Sequence, residues 1–333
     1  MKIARTIAAA AATTLFITGC SASGAPAGGD ASPGTSASTT QAATPKLNVV
    51  VAFYPLQYLS EQIAGDTATV TSLTAPGTEA HDLELTPQQI ASLGKADLVV
   101  YQKGFQAQVD AAVEQEKPKN VLDVASVVEL KKLEDHDDHA DDHGHDHDDK
   151  GKDEHGHDHG GVDPHVWLDP LNMAKIAEVV GAKLSAAQGA DKASVEAATK
   201  AVVSKMGALD EEFKTGLASC KRHDIIVSHE AFGYLTSRYG LHQIGISGLS
   251  PDAEPSPARI AEVHEQAKKH GVTTVFYEAL TSPEVAKSIA GDLGLATDVL
   301  DPLEGLTKDS RGKDYVEVMR ANLTALKTAN DCT

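Results

Sequence analysis

The sequence is short of aromatic and basic residues. Of its 333 residues 4% are aromatic, with a single tryptophan, and 29 Lys and Arg face 48 Asp and Glu, which gives a formal net charge of −19 at pH 7. A chain this acidic has no basic surface with which to displace counterions from phosphates, so a nucleic-acid partner is excluded. The excess of carboxylates is typical of a secreted protein or of a protein that handles cations.

Long apolar runs are absent beyond the N-terminus. No such run reaches the roughly 18 residues that a membrane-spanning helix needs, and 14 Pro and 27 Gly interrupt the chain. An integral membrane protein is therefore excluded, while the length suffices for two domains with their own cores. The HExxH, GxSxG and P-loop motifs of common enzymes are also missing.

The N-terminal residues predict export and anchoring. Basic residues and an apolar run lead to Gly19-Cys20, and a small residue before cysteine at this point resembles a bacterial lipobox, in which the cysteine is acylated. We predict a signal peptide over 1–19 and a lipidated flexible tether over 20–45, which is rich in Ser, Ala, Gly, Thr and Pro. The alternative is an ordinary cleaved signal with an incidental cysteine.

Only three cysteines are present. If Cys20 carries lipid, Cys220 and Cys332 form an even pair in an oxidising compartment, where a disulfide is expected. Two separate free thiols are the alternative.

Short apolar runs alternate with helical patterns, which predicts an α/β fold with mainly parallel sheets. This alternation covers 46–190, stops, and returns over 220–333, so we predict two lobes with these bounds. Between them Asp191 is a plausible helix N-cap, and apolar residues recur every three, four or seven positions. We therefore predict a connector helix over 191–219 that runs across both lobes.

The segment 134–160 lacks the residues of a core. It holds twelve carboxylates and two Lys, and self-repulsion predicts a disordered loop. Neutral imidazoles bind borderline metals such as Zn²⁺, and many of them on a flexible chain predict weak, multivalent metal capture. A merely solubilising linker is the alternative. The eight histidines are His136, His139, His143, His145, His147, His155, His157 and His159.

Three other histidines lie where open α/β sheets bind their ligands, at loops or strand ends. His81 follows a strand and precedes a helix, His165 lies between prolines next to the only tryptophan, and His229 ends a buried strand. Solvated or structurally satisfied histidine is the interpretation for His223, His242, His264 and His270.

These histidines lie in motifs that together resemble the zinc-binding lipoproteins of bacterial ABC transporters, a solute-binding class specific for transition metals. The motifs are Pro-Gly-x-x-x-His-Asp at 76–82, Asp-Pro-His-x-Trp-Leu-Asp-Pro at 163–170 and Ser-His-x-Ala-Phe-Gly-Tyr-Leu at 228–235. The resemblance covers about 49–329. It implies two lobes joined by a long rigid helix with the metal in the cleft, and His81, His165 and His229 as its ligands.

The resemblance also implies a fourth ligand, an acidic residue near the C-terminus or a water. Asp301, after the last predicted strand, is the expected residue, and Glu278 is a second candidate that could instead accept a hydrogen bond from an imidazole. Three imidazoles and one carboxylate suit Zn²⁺, whereas manganese prefers more oxygen.

The expected function is an extracytoplasmic, lipid-anchored receptor that captures Zn²⁺ and delivers it to a membrane permease with its ATPase. We expect a monomer without enzymatic activity and without a nucleotide site. A manganese receptor of the same class is one alternative, because Glu230 follows His229. A secreted zinc-dependent hydrolase is another, and an extracellular adhesin has no sequence feature in its favour.

Overall fold

The structure is a computed structural model that describes residues 46–132, 161–187 and 189–333. The predicted signal peptide, Cys20 with its tether, and the His-rich segment 134–160 lie outside the described residues.

The first lobe is built on a parallel sheet with the strand order β2-β1-β3-β4. Its central strand is a run of valines, Val49 to Val51, which is at most 1% exposed because helices cover both faces. The strands are β1 Leu47–Val51, β2 Ala68–Ser72, β3 Leu98–Tyr101 and β4 Val121–Asp123.

The second lobe repeats this plan with the order β6-β5-β7-β8, again all parallel. Its strands are β5 Asp224–Val227, β6 His242–Gly245, β7 Thr274–Tyr277 and β8 Ala296–Val299. The two parallel sheets confirm the predicted α/β class.

The helices of the described residues flank and link these sheets. They are α1 Tyr54–Ala64, α2 Pro87–Leu93, α3 Ala107–Glu116, α4 Pro170–Ala186, α5 Lys192–Leu217, α6 Gly233–Tyr239, α7 Pro257–His270, α8 Glu284–Leu293 and α9 Tyr315–Asn330.

Helix α5 joins the two lobes. Asp191 caps it by accepting the Ser194 N–H at 3.2 Å, and at 26 residues it is roughly 40 Å long. It packs against α1 and α4 in one half and against α9 in the other. Its predicted apolar stripe is buried: Val195, Val202, Met206, Leu209, Phe213 and Leu217.

Helices α1 and α4 have a proline at their start. Both α1 and α4 carry proline in the first turn, Pro55 and Pro170, where the missing N–H costs no hydrogen bond. Asp169 caps α4 by accepting the Leu171 N–H at 2.8 Å. The prolines that end the preceding segments therefore also begin helices.

Cys220 and Cys332 form a disulfide, which confirms the predicted pair. The bridge has a sequence separation of 112 and ties the end of α5 to the end of α9. None of the described helices is long and apolar enough to span a membrane.

Replacing both cysteines by serine should lower the free energy of unfolding by about 2–5 kcal/mol, because the bridge restricts a long loop in the unfolded chain. Denaturant titration with and without reductant measures this. Reductant should destabilise the wild type and leave the double serine variant unchanged. Equal stability of the two proteins under oxidising conditions would contradict the prediction.

Candidate metal centre

The candidate site lies where the parallel strands end. His81 is in the loop after β2, His229 follows β5 by two residues, and Glu304 follows β8 by five. His165 immediately precedes a single 3₁₀ turn, Val166–Leu168, that leads into α4. The carboxyl ends of parallel strands share one edge of a sheet, so the side chains from each lobe converge.

Four side chains meet in this place. The Nε2 atoms of His81, His165 and His229 lie 3.3, 3.5 and 3.5 Å from Oε1 of Glu304, and two of these nitrogens, those of His165 and His229, are 3.4 Å apart. All four ligand atoms lie within 4.8 Å of one another. Three imidazole nitrogens and one carboxylate oxygen therefore surround one point, a donor set that suits tetrahedral Zn²⁺.

Two of the imidazoles donate a hydrogen bond to a carboxylate from Nδ1, the ring nitrogen that faces away from the site. Nδ1 of His165 donates to Oδ1 of Asp163 at 2.8 Å, and Nδ1 of His229 donates to Oε1 of Glu278 at 2.6 Å. Ser228 donates to the same Glu278 oxygen. A proton on Nδ1 leaves the lone pair of Nε2 directed into the site, which is the tautomer that a metal requires.

The loop that carries His81 is held by hydrogen bonds. The Gln106 amide donates to the carbonyl of Ala80 at 2.9 Å, and Glu79 accepts the backbone N–H groups of His81 and Asp82 at 2.9 and 3.0 Å. Burial and the nearby Glu304 raise the pKa of Glu79 to about 8.

Three aromatic residues line one side of the site. The rings of Phe53 and Phe105 both pack against Trp167, at 4.8 and 5.0 Å between centroids. Phe105 lies edge-on to His81 at 4.8 Å, and Trp167 lies 5.2 Å from His165. This apolar wall excludes water and strengthens the electrostatic interactions of the site.

All four converging groups are buried, with exposures of 0–5%. Burial would raise the pKa of Glu304, but the three imidazoles outweigh it and hold that pKa well below its ordinary value. Burial lowers the pKa of His81. Burial opposes protonation of the other two histidines as well, but nearby carboxylates outweigh it. Asp163 and Glu304 raise the pKa of His165. Glu278 and Glu304 raise the pKa of His229 to about 10.

The structure differs from the sequence expectation on the fourth group. Asp301 is buried, but its carboxylate is not among the atoms that converge with the imidazoles, and Oδ1 instead accepts the Leu303 N–H at 2.8 Å. Burial raises its pKa to about 6. The carboxylate at the imidazoles belongs to Glu304, three residues further along a turn.

The sequence contains a signal that could have identified Glu304. An Asp-Pro pair favours the start of a turn, in which a short aspartate binds the backbone and cannot also reach outward. The longer acid after the turn is then the residue free to reach a neighbouring lobe. Glu278, the second candidate, has the supporting role behind His229 described above.

Within the described residues, other acidic and histidine candidates lie outside this cluster. The Glu230 side chain pairs with Arg259 of α7 at 3.4 Å, so it does not add an oxygen to the cluster. His223 contacts the carbonyl of Gly240 at 3.1 Å, and His270 pairs with Asp224 at 3.1 Å. A second, more exposed carboxylate group consists of Glu79, Asp82 and Asp252.

Comparison with known proteins shows similarity over most of the chain. Residues 49–329 match the ZnuA family, described as the periplasmic component A of the zinc-uptake complex. The zinc-binding lipoprotein AdcA of Streptococcus pneumoniae serotype 4 is 37% identical over 289 residues, which are 86% of this chain and 56% of the relative. This chain thus spans little more than half of that protein.

A Bacillus subtilis relative, the high-affinity zinc uptake system protein ZnuA, is 36% identical over 85% of this chain and 87% of its own. Among solved structures, the Zn(II)-bound ZnuA-like domain of Streptococcus pneumoniae AdcA matches with a TM-score of 0.69 and 35% identity, over 86% of this chain and 100% of that one. With the family match covering most of its length, this chain belongs to the ZnuA family of zinc-uptake components.

Proposed function

We propose that this protein is the extracytoplasmic zinc receptor of an ABC transporter, which captures Zn²⁺ and delivers it to a membrane permease driven by an ATPase. The observation that carries the proposal is the buried group of three imidazoles and one carboxylate. Its nitrogen-rich donor set matches zinc, and the relatives named above are zinc-binding and zinc-uptake proteins.

The ligands in this proposal are His81, His165, His229 and Glu304. Manganese is the less suitable ion, because it favours a higher coordination number and more oxygen ligands. The carboxylate that follows His229 in the sequence, Glu230, is engaged by Arg259 outside the cluster.

A hydrolase is a poorer explanation of the same geometry. A hydrolytic zinc site keeps one coordination position open for water and substrate. In the proposed site Glu304 would fill the fourth coordination position, and all four groups are at most 5% exposed, so a substrate would have no access to the ion. A closed site is suited to holding an ion.

The proposal includes the parts of the chain outside the described residues. Cys20 would carry the lipid that anchors a monomeric receptor to the cell membrane, with 20–45 as the tether. The segment 134–160 would collect zinc weakly through its eight histidines. The two lobes would span 46–190 and 220–333 about a connector over 191–219.

Removing 134–160 should leave one tight zinc equivalent and abolish several weak ones, because a flexible chain loses conformational entropy at each binding event. The deletion is practicable, since Lys132 and Val162 pair across an antiparallel bridge and the ends to be joined lie side by side. Calorimetric titration counts both classes of site. Loss of the tight equivalent would contradict this two-class arrangement.

Changing His229 to alanine should weaken the tight site by at least about 3 kcal/mol, more than a hundredfold, because the metal loses one of four ligands. Competition with a chelator measures the change. His242→Ala is the matched control, since its ring is 75% exposed in the same lobe and should leave affinity unchanged. Equal affinities of the two variants would refute the ligand assignment.

Zinc affinity should fall as the pH falls, because zinc and protons compete for the imidazole nitrogens. The pKa of His229 is raised to about 10 and that of His165 is raised as well, so binding near neutrality must displace protons. We expect a slope of about one to two decades per pH unit there, approaching three in acid as His81 also protonates. Chelator competition between pH 5.5 and 8 measures this slope, and a constant affinity would contradict it.

A further inference from the structure

The structure assigns to Asp301 the positioning of Glu304: its carboxylate holds the turn that directs Glu304 towards the three imidazoles. The inference rests on the proposed zinc site and adds a residue that acts on the metal only through its neighbour. It explains why a buried aspartate stands three residues before the ligand without joining it.

Asp301 begins the turn from a rigid base. Its backbone N–H donates to the side-chain oxygen of Asn322 at 2.9 Å, and its carbonyl accepts the Asn322 amide at 2.7 Å. Asn322 lies on α9 and is 2% exposed. Both bonds use the backbone of Asp301, so its carboxylate is available for other hydrogen bonds.

The Asp301 carboxylate binds the backbone of Leu303. Oδ1 of Asp301 accepts the Leu303 N–H at 2.8 Å, while Leu303 has a φ of 62°. A leucine rarely adopts this left-handed conformation, because Cβ crowds the backbone. The Leu303 side chain is fully buried. The hydrogen bond from Leu303 N–H to Asp301 stabilises the backbone conformation that permits this burial.

The same turn determines where Glu304 points. Leu303 directly precedes Glu304, so a change in its backbone angles would swing the Glu304 carboxylate away from the imidazoles. Pro302 lies between Asp301 and Leu303 in the turn. Its carbonyl accepts the Trp167 indole N–H at 2.7 Å, and this bond connects the turn to the other lobe. Backbone strain next to a functional group, held by specific bonds, is typical of binding sites.

Substitutions at Asp301 separate positioning from the effects of charge and of ligation. Asp301→Asn keeps an oxygen that can accept the Leu303 N–H and removes the negative charge. Asp301→Ala removes the acceptor and leaves both backbone bonds to Asn322 intact. The two variants therefore differ in whether residue 301 offers an acceptor to the Leu303 N–H and to Ser310, which also hydrogen-bonds the Asp301 carboxylate.

The experiment measures zinc affinity by chelator competition for both variants, alone and in a Glu304→Ala background, together with the melting temperature of the zinc-free proteins. Asp301→Ala should weaken binding about tenfold to a hundredfold, as loss of a group that orients a ligand does. Asp301→Asn should stay close to the wild type. In the Glu304→Ala background, Asp301→Ala should change affinity by no more than about twofold, because the group it positions is gone.

Asp191→Ala is the control. Oδ1 of Asp191 also accepts a backbone N–H a few residues ahead, that of Ser194, at 3.2 Å, at a helix start that carries none of the four site groups. It should leave zinc affinity unchanged.

Three results would overturn the inference. Equal losses in Asp301→Asn and Asp301→Ala would show that the charge matters, and an undiminished loss in the Glu304→Ala background would show an effect independent of Glu304. Unchanged binding in Asp301→Ala would remove the positioning role while the zinc site stands. If the wild type itself does not bind one zinc ion tightly, the proposed function is wrong, and the inference about Asp301 is wrong as well.

Discussion

The contacts of the three imidazole nitrogens with the Glu304 carboxylate are the interaction on which the rest of this structure depends. Charged and polar groups buried to this degree are costly unless each is paired. Glu304 is therefore surrounded by nitrogen donors, and Asp163 and Glu278 pair with the outer nitrogens of two imidazoles. The apolar wall of Phe53, Phe105 and Trp167 then seals one side of the group.

The arrangement of the two lobes brings these four groups to one point. Parallel strands end at a common edge, so each sheet presents its loops in one direction, and α5 spans the distance between lobes as a single packed helix. The Trp167 indole and the Tyr315 hydroxyl add hydrogen bonds across the junction, to Pro302 and to the Trp167 carbonyl. Side chains from distant parts of the sequence can thus meet within ångströms.

The sequence predicted what depends on local pattern. The valines of β1, the apolar stripe of α5 and the placement of His81 and His229 after strands all follow from periodicity and strand ends. The choice of Glu304 over Asp301 follows only in part from the Asp-Pro pair, because the conformation that directs Glu304 also depends on a left-handed residue, Leu303, and on contacts with α9 that are distant in sequence. The starts of helices α1 and α4 do not follow from this pattern, because a proline interrupts the chain and can equally begin a helix, as Pro55 and Pro170 do.

In the proposed zinc site, charge balance would allow so buried a group to exist with and without an ion. Asp163, Glu278 and Glu304 contribute three carboxylates. The raised pKa values of His165 and His229 favour a proton on each, and two imidazolium charges equal the charge of one Zn²⁺. Exchange of the ion for these protons changes the net charge of the interior little. If the site holds zinc as proposed, the carboxylates that orient the imidazoles would also stabilise the protonated, ion-free state, so that an ion could leave without exposing an unpaired buried charge.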